Sequence, residues 1–123
     1  MSGKRILVVD DEAMVLESVR MTLTHYGFAV ETASSGPEAL SKLAEGQFDL
    51  VVTDRKMPGM AGAQLAAQVK KRLPLLPIIL LTGYPPESTP PGVDAILLKP
   101  FSTAELRSTI HKLTSGSGSR DSA

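Results

Sequence analysis

Five residues close short apolar runs and carry side chains that can do chemistry together. Asp10 and Asp11 follow Ile6-Leu7-Val8-Val9, and Asp54 follows Leu50-Val51-Val52-Thr53. Thr82 follows Ile78-Ile79-Leu80-Leu81, and Lys99 follows Ala95-Ile96-Leu97-Leu98. Three carboxylates brought together repel one another, so one must hold its proton or a cation must sit among them. Mg2+ suits that set, because it prefers a few carboxylates, waters and a phosphate oxygen. A carboxylate beside such an ion can attack phosphorus, and phosphoryl transfer asks mainly for positioning and charge neutralisation. Thr82 can donate a hydrogen bond to one phosphoryl oxygen, and Lys99 can pair with another. Singly, each residue has an ordinary reading. A lone aspartate after a strand is commonly a turn or cap residue, Thr82 before Gly83 can be turn chemistry, and Lys99 can be a solvated charge. The chemistry depends on all five meeting at one place.

The elements that must bring them together follow from periodicity. Residues 5–10, 28–32, 49–54, 77–81 and 95–98 read as strands, mostly short apolar or β-branched runs. Between them lie amphipathic stretches. Met14, Val15, Leu16, Val19, Leu23 and Tyr26 recur near helical spacing, and Gly27 follows as a stop. Ser35-Gly36-Pro37-Glu38 has the capping-box spacing with proline in the first turn, opening a helix that runs to about Glu45. A third helix is expected over 61–73, ended by Pro74 and Pro77. The last begins at Ser102, with Glu105 completing a second capping box and Phe101 and Leu106 a hydrophobic staple, and is expected to end near Leu113. Strands alternating with helices imply a parallel sheet covered on both faces. The expected fold is a flavodoxin-like α/β three-layer sandwich with five strands in the order 2-1-3-4-5. In such a sheet, ligands bind at the carboxyl ends of the strands, near the switch between strands one and three. Asp10, Asp11, Asp54, Thr82 and Lys99 all fall on that rim.

Composition narrows the remaining classes. A chain of 123 residues fits one domain, expected over 1–114, with a Ser/Gly-rich tail or linker over 115–123. Lys plus Arg and Asp plus Glu each number 13, so the net charge of zero lacks the footprint of a nucleic-acid binder. There is no cysteine, which excludes disulfides, thiolate metal sites and cysteine nucleophiles and fits a cytoplasmic location. No apolar run is long enough for membrane insertion, and the N-terminal run stops too soon, at Asp10, for a signal peptide. His25 and His111 have no partner histidine at ligand spacing.

Together, in order and at this spacing, the segments ending in Asp10-Asp11-Glu12 and Asp54, with Met57-Pro58-Gly59, Leu81-Thr82-Gly83 and Lys99-Pro100-Phe101, resemble the receiver domain of two-component response regulators over about residues 4–113. The resemblance implies roles by position. Asp54 is the phospho-acceptor, Asp11 a direct Mg2+ ligand, and Asp10 an acid that supports the ion. The backbone carbonyl of Lys56 is a further ligand, Thr82 the switch hydroxyl and Lys99 the phosphoryl-binding ammonium. Pro100 matches a proline that follows a cis peptide. The implied partner is a sensor histidine kinase or phosphotransfer protein that donates from phosphohistidine. A downstream target is implied but not named, and the domain is expected to be a monomer when unphosphorylated. It would be no enzyme towards a separate substrate.

Two departures from the family stand out. Receivers usually carry a helix between the Thr82 and Lys99 strands, whereas Tyr84-Pro85-Pro86-Glu87-Ser88-Thr89-Pro90-Pro91-Gly92-Val93 holds four prolines. An interior proline costs a helix about 3 kcal/mol, so this fourth helix is expected to be shortened or absent. The Thr-Gly-Tyr sequence resembles a receiver subgroup with a reduced fourth helix, although Leu80-Leu81 stands where that subgroup has Phe-Ala. Ile96 occupies the position of the usual switch aromatic, three before Lys99, and Tyr84 is the candidate substitute. Two other readings stay open. One is a pseudo-receiver that serves only as an interaction module. The other is an aspartyl-nucleophile Mg2+ phosphatase, disfavoured because Lys56 stands where such enzymes place a second acid.

Overall fold

Runs that are apolar at consecutive positions have no face to give to water, so they belong inside a layered molecule. The computed structural model describes the backbone of residues 4–122 and the side chains of residues 4–114. Residues 1–3 and 123, at the edges of the expected domain and tail, lie outside the described residues. The strands are β1 (Arg5–Val9), β2 (Ala29–Ala33), β3 (Leu50–Asp54), β4 (Ile78–Thr82) and β5 (Ala95–Leu98). All pair in parallel, in the order 2-1-3-4-5. The helices are α1 (Ala13–His25), α2 (Gly36–Glu45), α3 (Gly62–Arg72) and α4 (Thr103–Ser122). The flavodoxin-like sandwich expected from the alternation is the fold that forms.

Successive side chains of a strand point to opposite faces, and the sheet divides its apolar residues accordingly. Leu7, Val9, Val51, Ile78 and Leu80 pack with Ala39 of α2 and with Leu65, Ala66 and Val69 of α3. Ile6, Val8, Leu50, Val52, Ile79 and Leu81 pack on the other face with Val19 and Leu23 of α1 and with Leu106 and Ile110 of α4. The β3 and β4 strands are buried along their whole length. Their carboxyl ends are held from both sides.

Local signals set the helix ends. After α1, the Phe28 N–H bonds the Leu23 carbonyl and the Gly27 N–H bonds the Thr24 carbonyl. This is a Schellman motif, and it needs the positive φ of 95° that Gly27 adopts. At α4 the capping box is reciprocal: the Ser102 N–H bonds Glu105 at 2.9 Å and the Glu105 N–H bonds the Ser102 hydroxyl at 3.0 Å. At α2 the box is shifted by one residue. The Ser35 hydroxyl accepts from the Glu38 N–H, but the Glu38 carboxylate takes the N–H and hydroxyl of Ser34 at 2.7 and 2.8 Å. The last helix, expected to end near Leu113, instead has the bounds Thr103–Ser122. Each glycine in that stretch costs helix propensity about 1 kcal/mol, but no proline breaks the series of donors.

The connection from β4 to β5 contains turns and bends and no helix. Its far end is secured to α3 and β4. Val93 is buried in the core on the α3 side, and the Asp94 carboxylate accepts from the Ile78 N–H and the Lys70 ammonium, each at 2.8 Å. Among the described residues, no helix is long and apolar enough to cross a membrane.

One close approach couples the fold to the end of β3. A methyl group on Gly62 would stand 2.3 Å from the Asp54 carbonyl oxygen and 2.7 Å from Leu80 Cδ1. Gly83, at the end of β4, has nothing within 4 Å of the same position. Gly62→Ala is therefore expected to destabilise the domain by about 2 kcal/mol or more, and Gly83→Ala by no more than about 0.5 kcal/mol. Urea unfolding followed by circular dichroism measures both.

Candidate functional site

The sheet register lines up the strand ends. Val9 lies opposite Thr53, Asp54 opposite Leu81, and Thr82 opposite Leu98. Asp54 and Thr82 therefore stand on the last rungs of β3 and β4, and Asp10 and Lys99 directly follow the ends of the neighbouring β1 and β5. Asp10 and Asp54 are almost entirely buried, while Asp11 is exposed. One carboxylate oxygen from each of Asp10, Asp11 and Asp54 lies within 4.8 Å of the others. Among the described residues this is the one such cluster of acids or histidines.

Charge is unevenly shared in this cluster. Lys99 Nζ lies 2.5 Å from Asp54 Oδ1. Burial works against the charge on Lys99, but its hydrogen bond to Asp54 and the negative charges of Asp54, Asp10 and Glu12 raise its pKa above the ordinary lysine value. Asp10 has less help. Its Oδ1 accepts the Glu12 N–H at 3.0 Å, but its Oδ2 is buried with no hydrogen-bond partner. Burial, with the charges of Asp54 and Asp11, lifts its pKa from 3.8 to about 6 against the opposing pull of the Glu12 N–H and Lys99. A buried carboxylate oxygen without a partner, facing two further carboxylates, fits a divalent cation with oxygen ligands such as Mg2+.

The backbone around Asp54 is constrained on several sides. The Arg55 N–H bonds the Leu81 carbonyl at 2.8 Å, and the Gly62 N–H bonds the Arg55 carbonyl at 2.9 Å. The Lys56 N–H reaches Asp54 Oδ2 at 3.3 Å, so the Lys56 backbone turns beside the acceptor carboxylate. The Thr53 hydroxyl donates to the Asp54 carbonyl at 3.0 Å. Neither Thr53 nor Gly62 was singled out from sequence. A threonine in a strand and a glycine at a helix start carry no mark of a tertiary contact.

Thr82 reaches the rim, but its hydroxyl is engaged elsewhere. It donates to the Tyr84 carbonyl at 3.1 Å and accepts from the Tyr84 N–H at 3.2 Å. Tyr84 is 75% exposed. Ile96 packs against the core on the α3 side and supplies no ring. The Lys99–Pro100 peptide is cis, as the resemblance implied. The arrangement thus brings Asp10, Asp11, Asp54, Lys99 and the Lys56 backbone together, and joins Thr82 to Tyr84 through the backbone.

Comparison with known proteins agrees with this geometry. Residues 6–111 match the response regulator receiver domain family. Response regulator MprA of Mycolicibacterium vanbaalenii is 38% identical over 128 aligned positions, which take in 97% of this chain and 55% of that protein. The chain spans about half the length of the curated relatives it matches. Among solved structures, a CheY-like receiver domain protein from Methanospirillum hungatei has a TM-score of 0.90 at 32% identity, covering 97% of this chain and 99% of that one. Response regulator TrrA of Thermotoga maritima, solved with Mg2+ and BeF, has a TM-score of 0.83 at 38% identity, covering 89% and 98% of the two chains. A structure of histidine kinase ThkA in complex with TrrA matches with a TM-score of 0.81, covering 89% of this chain and 97% of that one. With the matched segment running from β1 into α4, the chain belongs to the response regulator receiver domain family.

Proposed function

We propose that this receiver takes a phosphoryl group on Asp54 from a phosphohistidine of a sensor histidine kinase or phosphotransfer protein. The observation that carries the reading is the setting of the Asp54 carboxylate, held by the Lys99 ammonium on one oxygen and grouped with Asp10 and Asp11. The structures of TrrA with Mg2+ and BeF and with a histidine kinase support it by similarity.

Asp10, Asp11, Asp54 and the backbone carbonyl of Lys56 would hold Mg2+, which when bound supplies positive charge to offset the carboxylates and the phosphoryl oxygens. An Asp54 oxygen attacks phosphorus, the phosphorus–nitrogen bond breaks, and the imidazole leaves with the electron pair. Lys99 then moves from the Asp54 carboxylate to a phosphoryl oxygen. The Thr82 hydroxyl has a single proton, which it donates to the Tyr84 carbonyl before transfer. Donating that proton to a phosphoryl oxygen removes the bond to the Tyr84 carbonyl, leaves at most the one from the Tyr84 N–H, and loosens the start of the β4–β5 connection. In this reading Tyr84 is the aromatic that moves, in place of the ring that Ile96 lacks. A downstream partner reads the altered connection together with adjoining β5 and α4 surface.

The domain in this reading catalyses only its own phosphorylation and slow hydrolysis, and works in the cytoplasm. It is a monomer before phosphorylation, and neither contacts nucleic acid directly nor enters a membrane. The receiver unit is assigned to residues 1–114, with the described side chains of α4 packed on the core as far as Leu113. The Ser/Gly-rich residues 115–123, over which the α4 backbone continues to Ser122, are assigned to a tail or linker. Lys56, two residues after the acceptor, leaves no second acid for a phosphatase mechanism.

Incubation with acetyl phosphate and Mg2+ is expected to add one phosphoryl group by intact mass, and Asp54→Asn to add none. Tyr84→Ala is expected to change the dephosphorylation rate several-fold, and unaltered phosphorylation, dephosphorylation and phosphorylation-induced spectral change would remove Tyr84 from the switch. Asp10 gives a pH prediction. Its folded pKa of about 6 exceeds the ordinary 3.8, so the folded state binds more protons between those values and loses stability as pH rises through them. In metal-free protein at pH 7.5, Asp10→Asn should raise stability by about 2 kcal/mol. Thermal melts should show that gain shrinking towards pH 4, and Mg2+ should raise the melting temperature of the wild type but not of the variant.

A further inference from the structure

Four polar or charged residues are buried among those described: Asp10, Asp54, Thr82 and Thr53. The first three stand at strand ends on the rim. Thr53 lies inside β3, one residue short of its end, and is fully buried. A valine would serve the strand and its packing equally well, as Val51 and Val52 do beside it. A buried hydroxyl must find a partner or carry a desolvation cost. Thr53 directs its hydroxyl at the Asp54 carbonyl oxygen, 3.0 Å away.

That carbonyl is in an unusual place. The ladder between β1 and β3 ends at the rung of Val9 and Thr53, one residue before Asp54. The Asp10 N–H is no donor for the Asp54 carbonyl, because it lies on the opposite side of β1 and extends the β1–β2 ladder to the Ala33 carbonyl. No rung between β1 and β3 follows that of Val9 and Thr53, and the Thr53 hydroxyl supplies a donor to the Asp54 carbonyl. Gly62 closes on the same carbonyl, leaving no room for a Cβ. The peptide that follows Asp54 is thereby held by the hydroxyl on its oxygen and by the Leu81 carbonyl on its Arg55 N–H. The orientation of this peptide decides where the acceptor carboxylate points and where the Lys56 backbone turns, since the Lys56 N–H comes back to Asp54 Oδ2.

We propose that Thr53 is a positioning residue for the phospho-acceptor, its hydroxyl fixing the Asp54–Arg55 peptide and, through it, the Asp54 carboxylate and the Lys56 carbonyl. This rests on the reading of Asp54 given above. Thr53→Val removes the hydroxyl and keeps the shape, and Thr53→Ser restores the hydroxyl without the methyl group. A misplacement of about 1 Å can slow group transfer by about a hundred-fold, so a smaller shift of the carboxylate is expected to cost about ten-fold.

The test compares wild type, Thr53→Val and Thr53→Ser, all confirmed folded by circular dichroism. Two readouts are taken: Mg2+ affinity by calorimetry, and the rate of mass gain with acetyl phosphate at saturating Mg2+. For Thr53→Val the expected result is Mg2+ binding weakened about five-fold and phosphorylation slowed about ten-fold, with Thr53→Ser within about three-fold of wild type on both. A folded Thr53→Val with wild-type affinity and rate overturns the proposal, as does a Thr53→Ser no better than Thr53→Val. If none of the three gains a phosphoryl group from acetyl phosphate while Mg2+ affinity still follows the series, the positioning of the Asp54 carboxylate and Lys56 carbonyl by Thr53 stands and the site requires a phosphohistidine donor. A wild type that binds Mg2+ and gains no phosphoryl group from a phosphohistidine donor either overturns the phospho-acceptor reading alone. A wild type that takes neither Mg2+ nor a phosphoryl group overturns both.

Discussion

Like charge confined to a small volume is the constraint on which the site depends. Three carboxylates place oxygens within 4.8 Å of one another, and two of the three residues are buried. At that separation, in the effective dielectric of a protein, two full charges repel by roughly 3 kcal/mol. The arrangement persists because Asp54 ends β3 and Asp10 directly follows β1, strands that two packed cores hold in place, so the chain cannot relax by moving these two acids apart. Lys99 answers part of the repulsion from the end of β5. Asp10 answers another part by keeping its proton to a higher pH than an aspartate in water.

Around this cluster the molecule divides into parts that hold and parts that can shift. The backbone at Asp54 is tied to β4 and to the first residue of α3. The close contact at Gly62 leaves that helix no slack. On the other side, Thr82 is joined to the connection ahead of it by two hydrogen bonds through one hydroxyl. A hydroxyl can trade partners with a rotation of its side chain, whereas a β3 displacement would disturb both cores. In the proposed reading, a change at Asp54 would pass towards Tyr84 rather than into the sheet.

The rim was legible because its signal is local: an apolar run that ends in an acid, a threonine or a lysine, with the topology doing the rest. The Ser102–Glu105 capping box was legible for the same reason. The Ser35 cap of α2 was legible too, but not the return bond of Glu38, which goes to Ser34 because that residue offers both an N–H and a hydroxyl. The length of α4 was underestimated because glycine and serine weaken a helix without forbidding it. Thr53 and Gly62 were invisible, since their importance lies in how closely one element approaches another. The orientation of the Thr82 hydroxyl was equally hidden, because a residue type does not say which of two neighbours its proton will choose.

The proline-rich connection has a consequence for recognition. Pro85, Pro86, Pro90 and Pro91 each lock one backbone torsion, so the segment has few conformations even where nothing packs on it. Ordering a flexible loop against a partner normally sacrifices about 1–2 kcal/mol of entropy per residue. Here much of that freedom is already missing from the unbound chain. A surface that lost its helix has thus kept a form of rigidity, and a protein that grips this segment has less disorder to quench than a glycine-rich loop of the same length would demand.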